Sequence, residues 1–385
     1  MRIEAALVLS ALLSAGAARA TPLSLPRGAN SWRDSELRSI RGVTVGPIES
    51  ALHPDKGYGS APCARSMHEI RQMGGNWVSL TPFGRVWDLT PTGVSMTFEA
   101  PYEKNRAAVA RAVEQAHHEG LRVMLVPHLW VESGGWRAKI DPGDDEAWAR
   151  WAASYRAFLM NWAEVARDAG VDMLSVGVEL RSWVTTTHAP SFIDIIQDVR
   201  QVYPGLLTYA ANWDDVDDTV ILGDLDVIGI NAFYPLANKN GASYPTLVAG
   251  GHKVAEKVGR LATSWEKPVM FTEFGYTTRP DPAVRPWEWP DKMKHVVVDQ
   301  RAQARAYAAL LQAFVDKPWF AGFFVWRVYA DPDDMSQEAE WGFSPRGKEA
   351  GLVLRDAFHA WWAADGPRPI GSGLGKVSAW IDRPY

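Results

Sequence analysis

Two glutamates stand out in the sequence, because Glu179 and Glu273 each follow directly on a short apolar run. An acidic side chain at the end of a buried strand is unfavourable unless it has a partner or a task. Hydrolysis of a glycosidic bond needs two carboxyl groups, one on each side of the bond. Burial and a neighbouring carboxylate can keep one of them protonated near neutral pH. The alternative is a structural role, in which Arg181 or Arg327 pairs with either glutamate.

Polar and aromatic side chains follow the other apolar runs in the same way. They are the candidate substrate-binding residues His128, Trp130, Trp136, Arg181, Trp183, Asn212, Trp213, Asn231, Tyr234 and Trp326. Indole faces suit the apolar faces of sugar rings, although tryptophan also fills cores. We interpret Trp130, Trp136, Trp183 and Trp213 as sugar-stacking platforms. His128 is either a ligand of a sugar hydroxyl, a partner of Glu179, or a core histidine.

The runs that precede these residues alternate with helical patterns. Eight short apolar runs, typical of parallel strands covered on both faces, occupy 42–45, 76–80, 122–127, 172–176, 207–210, 226–230, 268–271 and 322–325. Between them, helices are predicted over 103–119, 145–169, 191–202, 300–315 and 350–363. The pattern predicts an α/β protein with a single (β/α)8 TIM barrel, which places the residues after the strands on one rim. An open doubly wound sheet is the alternative, but it lacks the glycine fingerprint.

Composition narrows the classes of function further. The chain has 385 residues with a net charge of -5, which argues against a nucleic-acid binder. It contains 19 Trp, and its single cysteine, Cys63, excludes an internal disulfide. No phosphate-binding glycine loop and no zinc-type cluster occurs in the sequence, and hydrolysis by two carboxyl groups requires neither cofactor nor metal, so we expect neither. We expect a monomer that acts on a polysaccharide or oligosaccharide.

The N-terminus has the pattern of a secretory signal peptide. Residues 1–20 combine Arg2, an apolar run and an A-x-A site, which predicts cleavage after Ala20 and a secreted or periplasmic protein. A buried N-terminal helix is the alternative, and the run is too short to span a bilayer. We divide the rest into an N-terminal extension (21–40), the barrel (41–363) and a C-terminal tail (364–385).

Across most of 41–363 the chain resembles glycoside hydrolase family 113, a family of clan A whose described members are β-mannanases. The matching segments are 126–130 (VPHLW), 135–137 (GWR), 176–180 (VGVEL), 271–275 (FTEFG) and 342–347 (GFSPRG). The resemblance implies that Glu179 is the acid/base, that Glu273 is the nucleophile, and that Trp326 floors the subsite of the attacked sugar. It also implies that Tyr234 lies beside the nucleophile. Val178 departs from clan A, where Asn commonly precedes the acid/base and contacts the sugar 2-hydroxyl.

The resemblance implies a retaining glycoside hydrolase, with endo-β-1,4-mannanase the first choice. Two alternatives stay open. The enzyme could act on another β-glycan, such as a β-glucan, an amino-sugar polymer or a cell-wall polymer. The chain could instead be a non-catalytic glycan-binding barrel, which would keep the aromatic rim without depending on either glutamate.

Overall fold

The computed structural model of the chain describes residues 23–46, 55–288, 296–334 and 340–364. The predicted signal peptide lies outside these ranges, and so does the predicted tail from residue 365 onward. The boundaries predicted for the extension, barrel and tail stay predictions.

Eight parallel strands close into a barrel, and consecutive barrel strands are neighbours all the way round. In chain order they are β1 (Ile40–Gly46), β2 (Trp77–Leu80), β4 (Arg122–Leu125), β6 (Met173–Val178), β7 (Leu206–Asn212), β8 (Ile228–Asn231), β9 (Val269–Phe274) and β10 (Phe320–Tyr329). Each contains most of one apolar run identified in the sequence. The predicted (β/α)8 barrel is therefore confirmed, and the open doubly wound sheet is wrong.

Helices surround the barrel. They are α1 (Ser31–Asp34), α2 (Ala61–Gln72), α3 (Tyr102–His118), α4 (Asp145–Ala169), α5 (Arg181–Val184), α6 (Ala189–Val202), α7 (Tyr244–Trp265), α8 (Gln300–Phe314) and α9 (Glu349–Ala364). Helix α4 shows how the local sequence sets where a helix begins and ends. At its start the Asp144 carboxylate accepts from the Ala147 amide, and at its end Gly170 adopts a left-handed φ of 73°. Between β7 and β8 the chain forms only two 3-10 helices, Val216–Asp218 and Val220–Asp224, because the connection is short.

Apolar side chains fill the barrel and make it a solid scaffold. Trp77, Met124, Val178 and Phe324 belong to one buried cluster inside it, and Trp32 of α1 packs on Trp77 with ring centroids 6.3 Å apart. A second and larger cluster lies between the strands and the surrounding helices. With both strand faces packed in this way, side chains beyond the strand ends are held on a rigid rim.

Two further strands extend above the barrel beside β2 and β4. They are β3 (Phe83–Val86) and β5 (His128–Val131), which pair with each other in parallel. Pro82 and Pro127 each directly precede one of these strands. Because proline lacks a backbone N–H, it interrupts a ladder, and here it separates each short strand from the barrel strand before it. The sequence did not reveal this pair.

Closure of the barrel between β10 and β1 depends on the absence of a side chain at Gly322. This residue has φ 128°, and a Cβ there would collide with the carbonyl oxygen of its register partner Ile40. Gly120 also has a positive φ, 71°, but open space surrounds its missing Cβ.

We predict that Gly322→Ala lowers the free energy of unfolding by at least about 2 kcal/mol more than Gly120→Ala does. Both substitutions impose a left-handed backbone on alanine, but only the first adds a steric collision. Denaturant unfolding of the two variants checks this, and equal losses would contradict it.

Candidate active site

Glu179 is placed at the barrel mouth by a sharp turn at the end of β6. Its φ is 50°, a left-handed value that is strained for a residue with a side chain. Its backbone N–H donates to the Ala210 carbonyl at 2.9 Å, and the next N–H, of Leu180, donates to the Tyr209 hydroxyl at 2.6 Å. These bonds hold the turn that directs the carboxylate into the mouth.

Three donors converge on the Glu179 carboxylate. Trp136 Nε1 donates to Oε2 at 2.7 Å and Arg137 Nη1 donates to the same oxygen at 3.0 Å. Asn231 Nδ2 donates to Oε1 at 3.0 Å. With both oxygens engaged, the carboxylate is fixed in one orientation, and the guanidinium compensates for its burial.

Glu273 lies at the end of β9, where its side chain is buried. Burial raises the pKa of its carboxyl group above the ordinary value, the His128 hydrogen bond opposes this, and the negative charge of Glu179 adds to it. His128 Nε2 lies 3.3 Å from Oε1 of Glu273, while His128 Nδ1 bonds the Val126 carbonyl at 2.9 Å. Because that carbonyl only accepts, Nδ1 carries a proton, so the contact to Glu273 needs one further proton on either Nε2 or the carboxyl group.

Asn231 connects the surroundings of the two glutamates. Its amide nitrogen bonds Glu179, and its amide oxygen accepts from the Thr272 hydroxyl at 2.8 Å. Thr272 is the residue directly before Glu273 in the sequence. Asn231 is also the register partner of Glu273 between β8 and β9. The two carboxyl groups therefore face one mouth from strands four and seven of the barrel.

Aromatic rings border this centre. The indole of Trp326 lies nearly parallel to the His128 ring, with centroids 6.3 Å apart. Trp130 is 49% exposed on β5. Trp213 is partly exposed and stacks on Trp287, with centroids 5.3 Å apart.

One aromatic residue that the sequence assigned to the site, Trp183, lies elsewhere, and a second, Tyr234, is buried. Trp183 is only 1% exposed. Helix α5 turns it inward, where it packs on aromatic side chains of α4 and α6, so the prediction of a sugar platform is wrong. Tyr234 packs on Trp213 and on Phe271, whose ring faces α8. Its buried hydroxyl bonds none of the described residues, and the predicted placement beside Glu273 stays a prediction.

The polar residues are also arranged differently from the sequence-based prediction. Arg181 pairs with Asp214 and Asp215 and lies 4.8 Å from the Trp136 ring, so its described ion pairs are not with the glutamates.

His128 bonds Glu273 rather than Glu179. Asn212 donates to Asp214 at 2.6 Å. Asn231 is fully buried with its amide engaged on both sides, so it positions Glu179 instead of meeting a substrate.

Two residues at the site were missed as functional candidates. Arg137 stands beside Trp136 in the sequence, yet nothing in its spacing indicates that it reaches Glu179. Trp287 lies in the long connection after β9, with no strand before it to mark it. Among the described residues no His, Cys, Asp and Glu cluster is arranged to bind a metal ion, and no helix there has the length and hydropathy of a membrane span.

A (β/α)8 barrel with two glutamates facing one mouth from strands four and seven defines a glycoside hydrolase. The sequence profile of Glycoside Hydrolase Family 113 matches residues 51–348. The chain belongs to glycoside hydrolase family 113, as the sequence motifs predicted.

Solved structures agree with this assignment. The family 113 β-mannanase from Alicyclobacillus acidocaldarius, solved in complex with ManMIm, is 26% identical, with a TM-score of 0.72 over 85% of this chain and 99% of that one. A family 113 β-1,4-mannanase is 21% identical, with a TM-score of 0.71 over 84% of this chain and 99% of that one. A family 5 mannosidase from Rhizomucor miehei, 14% identical, shares the fold with a TM-score of 0.58 over 86% and 95%. Comparison with curated protein sequences finds no significant match.

We predict that Trp183→Ala lowers the free energy of unfolding by about 3 to 5 kcal/mol, whereas Trp130→Ala changes it by less than about 1 kcal/mol. The sequence assigns both residues to the rim, but only Trp183 fills space between helices. Thermal and denaturant unfolding of the two variants distinguish a core residue from a surface platform. Similar losses in the two would contradict this assignment.

Proposed function

We propose that this enzyme is a retaining endo-β-1,4-mannanase in which Glu273 is the nucleophile and Glu179 the acid/base. The observation that carries the proposal is the pair of buried carboxyl groups at the ends of β6 and β9, with Asn231 bonding both Glu179 and the residue before Glu273. The substrate class is supported by the similarity to the Alicyclobacillus acidocaldarius enzyme, which is described as a β-mannanase.

The reaction would proceed in two displacements. Glu273 attacks the anomeric carbon, the bond from that carbon to the glycosidic oxygen breaks, and Glu179 gives its proton to the departing oxygen. Glu179, now a carboxylate, takes a proton from water as the water attacks the glycosyl-enzyme. This step releases the sugar and returns both carboxyl groups to their starting states.

The donors around Glu179 suit this cycle. Loss of the proton creates a negative charge on a buried carboxyl group, and Arg137, Trp136 and Asn231 are already directed at its two oxygens. Fixed donors at the place where charge develops stabilise the transition state without reorganisation. Arg137 is therefore a positioning residue that favours departure of the leaving group.

Val178, which stands where clan A enzymes commonly have Asn, is compatible with a mannose-containing substrate. This side chain is 2% exposed and belongs to the apolar cluster inside the barrel. The position therefore supplies no polar contact to a sugar 2-hydroxyl. The 2-hydroxyl of mannose is axial and points in a different direction from the equatorial hydroxyl of glucose, so the usual contact is not required in the same place.

We predict that the mature protein from Thr21 onward releases reducing ends from mannan and glucomannan, and that Glu273→Gln abolishes this release. On aryl β-mannosides with activated leaving groups, Glu179→Gln should give a rapid burst of the leaving group followed by slow turnover, because such groups depart without a proton while the attacking water then lacks its base. Proton NMR of the first product should show the β-anomer, as retention requires.

The same panel should include β-glucan, xylan and peptidoglycan. Activity on one of these alone would overturn the mannan assignment and keep the chemistry, while an α-anomeric first product would overturn retention. A wild type that binds glycans without cleaving any would overturn the enzymatic role and favour the non-catalytic barrel.

We predict that His128→Leu moves the acidic limb of the kcat/KM profile to higher pH. The nucleophile works ionised, so activity is present above the pKa of Glu273 and is lost as the pH falls through it. His128 and Arg137 lower this pKa, against burial and Glu179, which raise it. Removing the histidine removes one lowering influence, so the pKa rises.

His118→Leu is the matched control, because His118 lies on the exposed face of α3. The acidic limb of the kcat/KM profile of His118→Leu should coincide with that of the wild type. An unchanged limb in His128→Leu, measured on a variant of normal thermal stability, would contradict the influence of His128 on Glu273.

A further inference from the structure

We propose that the outer face of the β3–β5 strand pair binds the glycone side of a neutral polysaccharide, beyond the sugar that Glu273 attacks. This inference rests on the proposed function and adds the direction in which the substrate chain leaves the catalytic centre. The face carries an aromatic strip, defined here as Phe83, Trp87, Phe98 and Trp130.

The pleat of the two strands determines which side chains share this face. Successive residues point to opposite sides of a strand, and the register pairs Phe83 with His128 and Arg85 with Trp130. The ladder continues past the strands, because the N–H of Ser133 donates to the Trp87 carbonyl at 2.9 Å. His128, Trp130 and position 132 therefore form one row, and positions 83, 85 and 87 form a second row beside it.

The opposite face of the strand pair is packed against the protein. Leu129 and Val131 are buried there, and so is Val86. A Cβ at Gly84 would lie 2.6 Å from the Phe158 ring, so this face fits closely against α4. The strand pair cannot rotate, and its aromatic row is held toward solvent.

The strip begins at the catalytic centre. His128 bonds Glu273 and lies 5.3 Å from the Phe83 ring. Phe83 stacks on Phe98 at 5.1 Å and meets Trp130 edge-on at 6.2 Å. From His128 to position 132 the strand rises about 13 Å, so the row extends past the sugar that occupies the centre.

The two outermost rings of the strip are the most exposed. Trp87 is 64% exposed and Trp130 is 49% exposed. The Arg85 guanidinium lies 5.7 Å from the Trp87 ring and 5.1 Å from that of Phe98. Arg85 thus contacts the Trp87 ring, while Trp130 meets Phe83 and Phe98 edge-on. The two exposed indoles are suited to the apolar faces of consecutive sugars.

Charge favours a neutral chain over an acidic one. Arg85 forms ion pairs with Glu132 at 3.0 Å and with Glu99 at 3.5 Å. One guanidinium between two carboxylates leaves no excess positive charge for uronic acids, while all three groups offer hydrogen bonds to hydroxyls. A neutral glycan such as mannan fits both the rings and the charges.

The glutamate nearest the aromatic strip indicates on which side of the cleaved bond the bound sugars lie. The nucleophile bonds the anomeric carbon of the glycone, and the strip continues from His128, the partner of the nucleophile. Trp136 is engaged by its own bond to Glu179. The other exposed ring pair, Trp213 stacked on Trp287, follows β7, which is a neighbour of neither β2 nor β4. Sugars on the strip are therefore those retained on the enzyme after the first displacement.

The test compares a long and a short substrate of the full-length mature enzyme. For β-1,4-mannohexaose, Trp87→Ala and Trp130→Ala should each lower kcat/KM by about tenfold or more, as expected for one lost stacking platform. For an aryl β-mannoside, which occupies only the central subsite, the change should stay within about twofold. Trp130→Phe should recover much of the loss because a ring is retained.

The position of the cut tests the direction. When hexaose labelled at its reducing end is used, weaker glycone subsites should shift cleavage toward the non-reducing end. Leu352→Ala, which removes an exposed apolar side chain on the outer helix α9, should leave both the rates and the cutting pattern unchanged.

Equal losses on the two substrates, or none on hexaose, would overturn the strip as a binding face. A shift toward the reducing end would overturn its glycone placement. Failure of the proposed function is a separate result, because the wild type would then be inactive on both mannan substrates. In that case affinity electrophoresis in neutral glycans, with the same variants, still tests the strip: unchanged migration of Trp87→Ala and Trp130→Ala would overturn it.

Discussion

Burial of a carboxyl group at the mouth of a closed barrel is the constraint on which the site depends. Glu273 loses most of its hydration there, which raises its pKa, and an isolated buried charge would be expensive. His128 compensates directly, and the positive charge of Arg137 contributes from the side of Glu179. Glu273, His128, Glu179 and Arg137 therefore form one electrostatic unit, in which each group influences the ionisation of Glu273.

The barrel makes this unit rigid. Parallel strands bring all their carboxyl ends to one rim, and the packed interior prevents those ends from moving relative to one another. Asn231 shows how the scaffold transmits this order, because its two hydrogen bonds join the surroundings of residues that are far apart in the chain. The left-handed backbone at Glu179 is sustained by the Tyr209 hydroxyl and the Ala210 carbonyl, so local strain is balanced by the neighbouring strand.

The sequence was sufficient to predict the barrel and to locate both glutamates, because buried parallel strands give continuous apolar runs and their ends share one rim. It was insufficient to distinguish Trp183, which is buried, from Trp136, which reaches Glu179, because both follow barrel strands. Trp183 lies on the single helical turn α5, and its ring is buried because α4 and α6 pack around it. The strands β3 and β5 were missed because each has four residues and follows a proline, which is typical of a loop.

The proposed chemistry and the proposed substrate binding use different parts of the fold. The two glutamates stand on strands whose every face is packed, where a small displacement would disturb the whole barrel. The aromatic strip stands on an added pair of strands that shares one face with the protein and leaves the other open. Substitution on that open face would alter contacts with a substrate without repacking the core, since Trp87 and Trp130 are both largely exposed. Specificity for a glycan can therefore change in this family without changing the catalytic centre, provided that His128, which belongs to both parts, is retained.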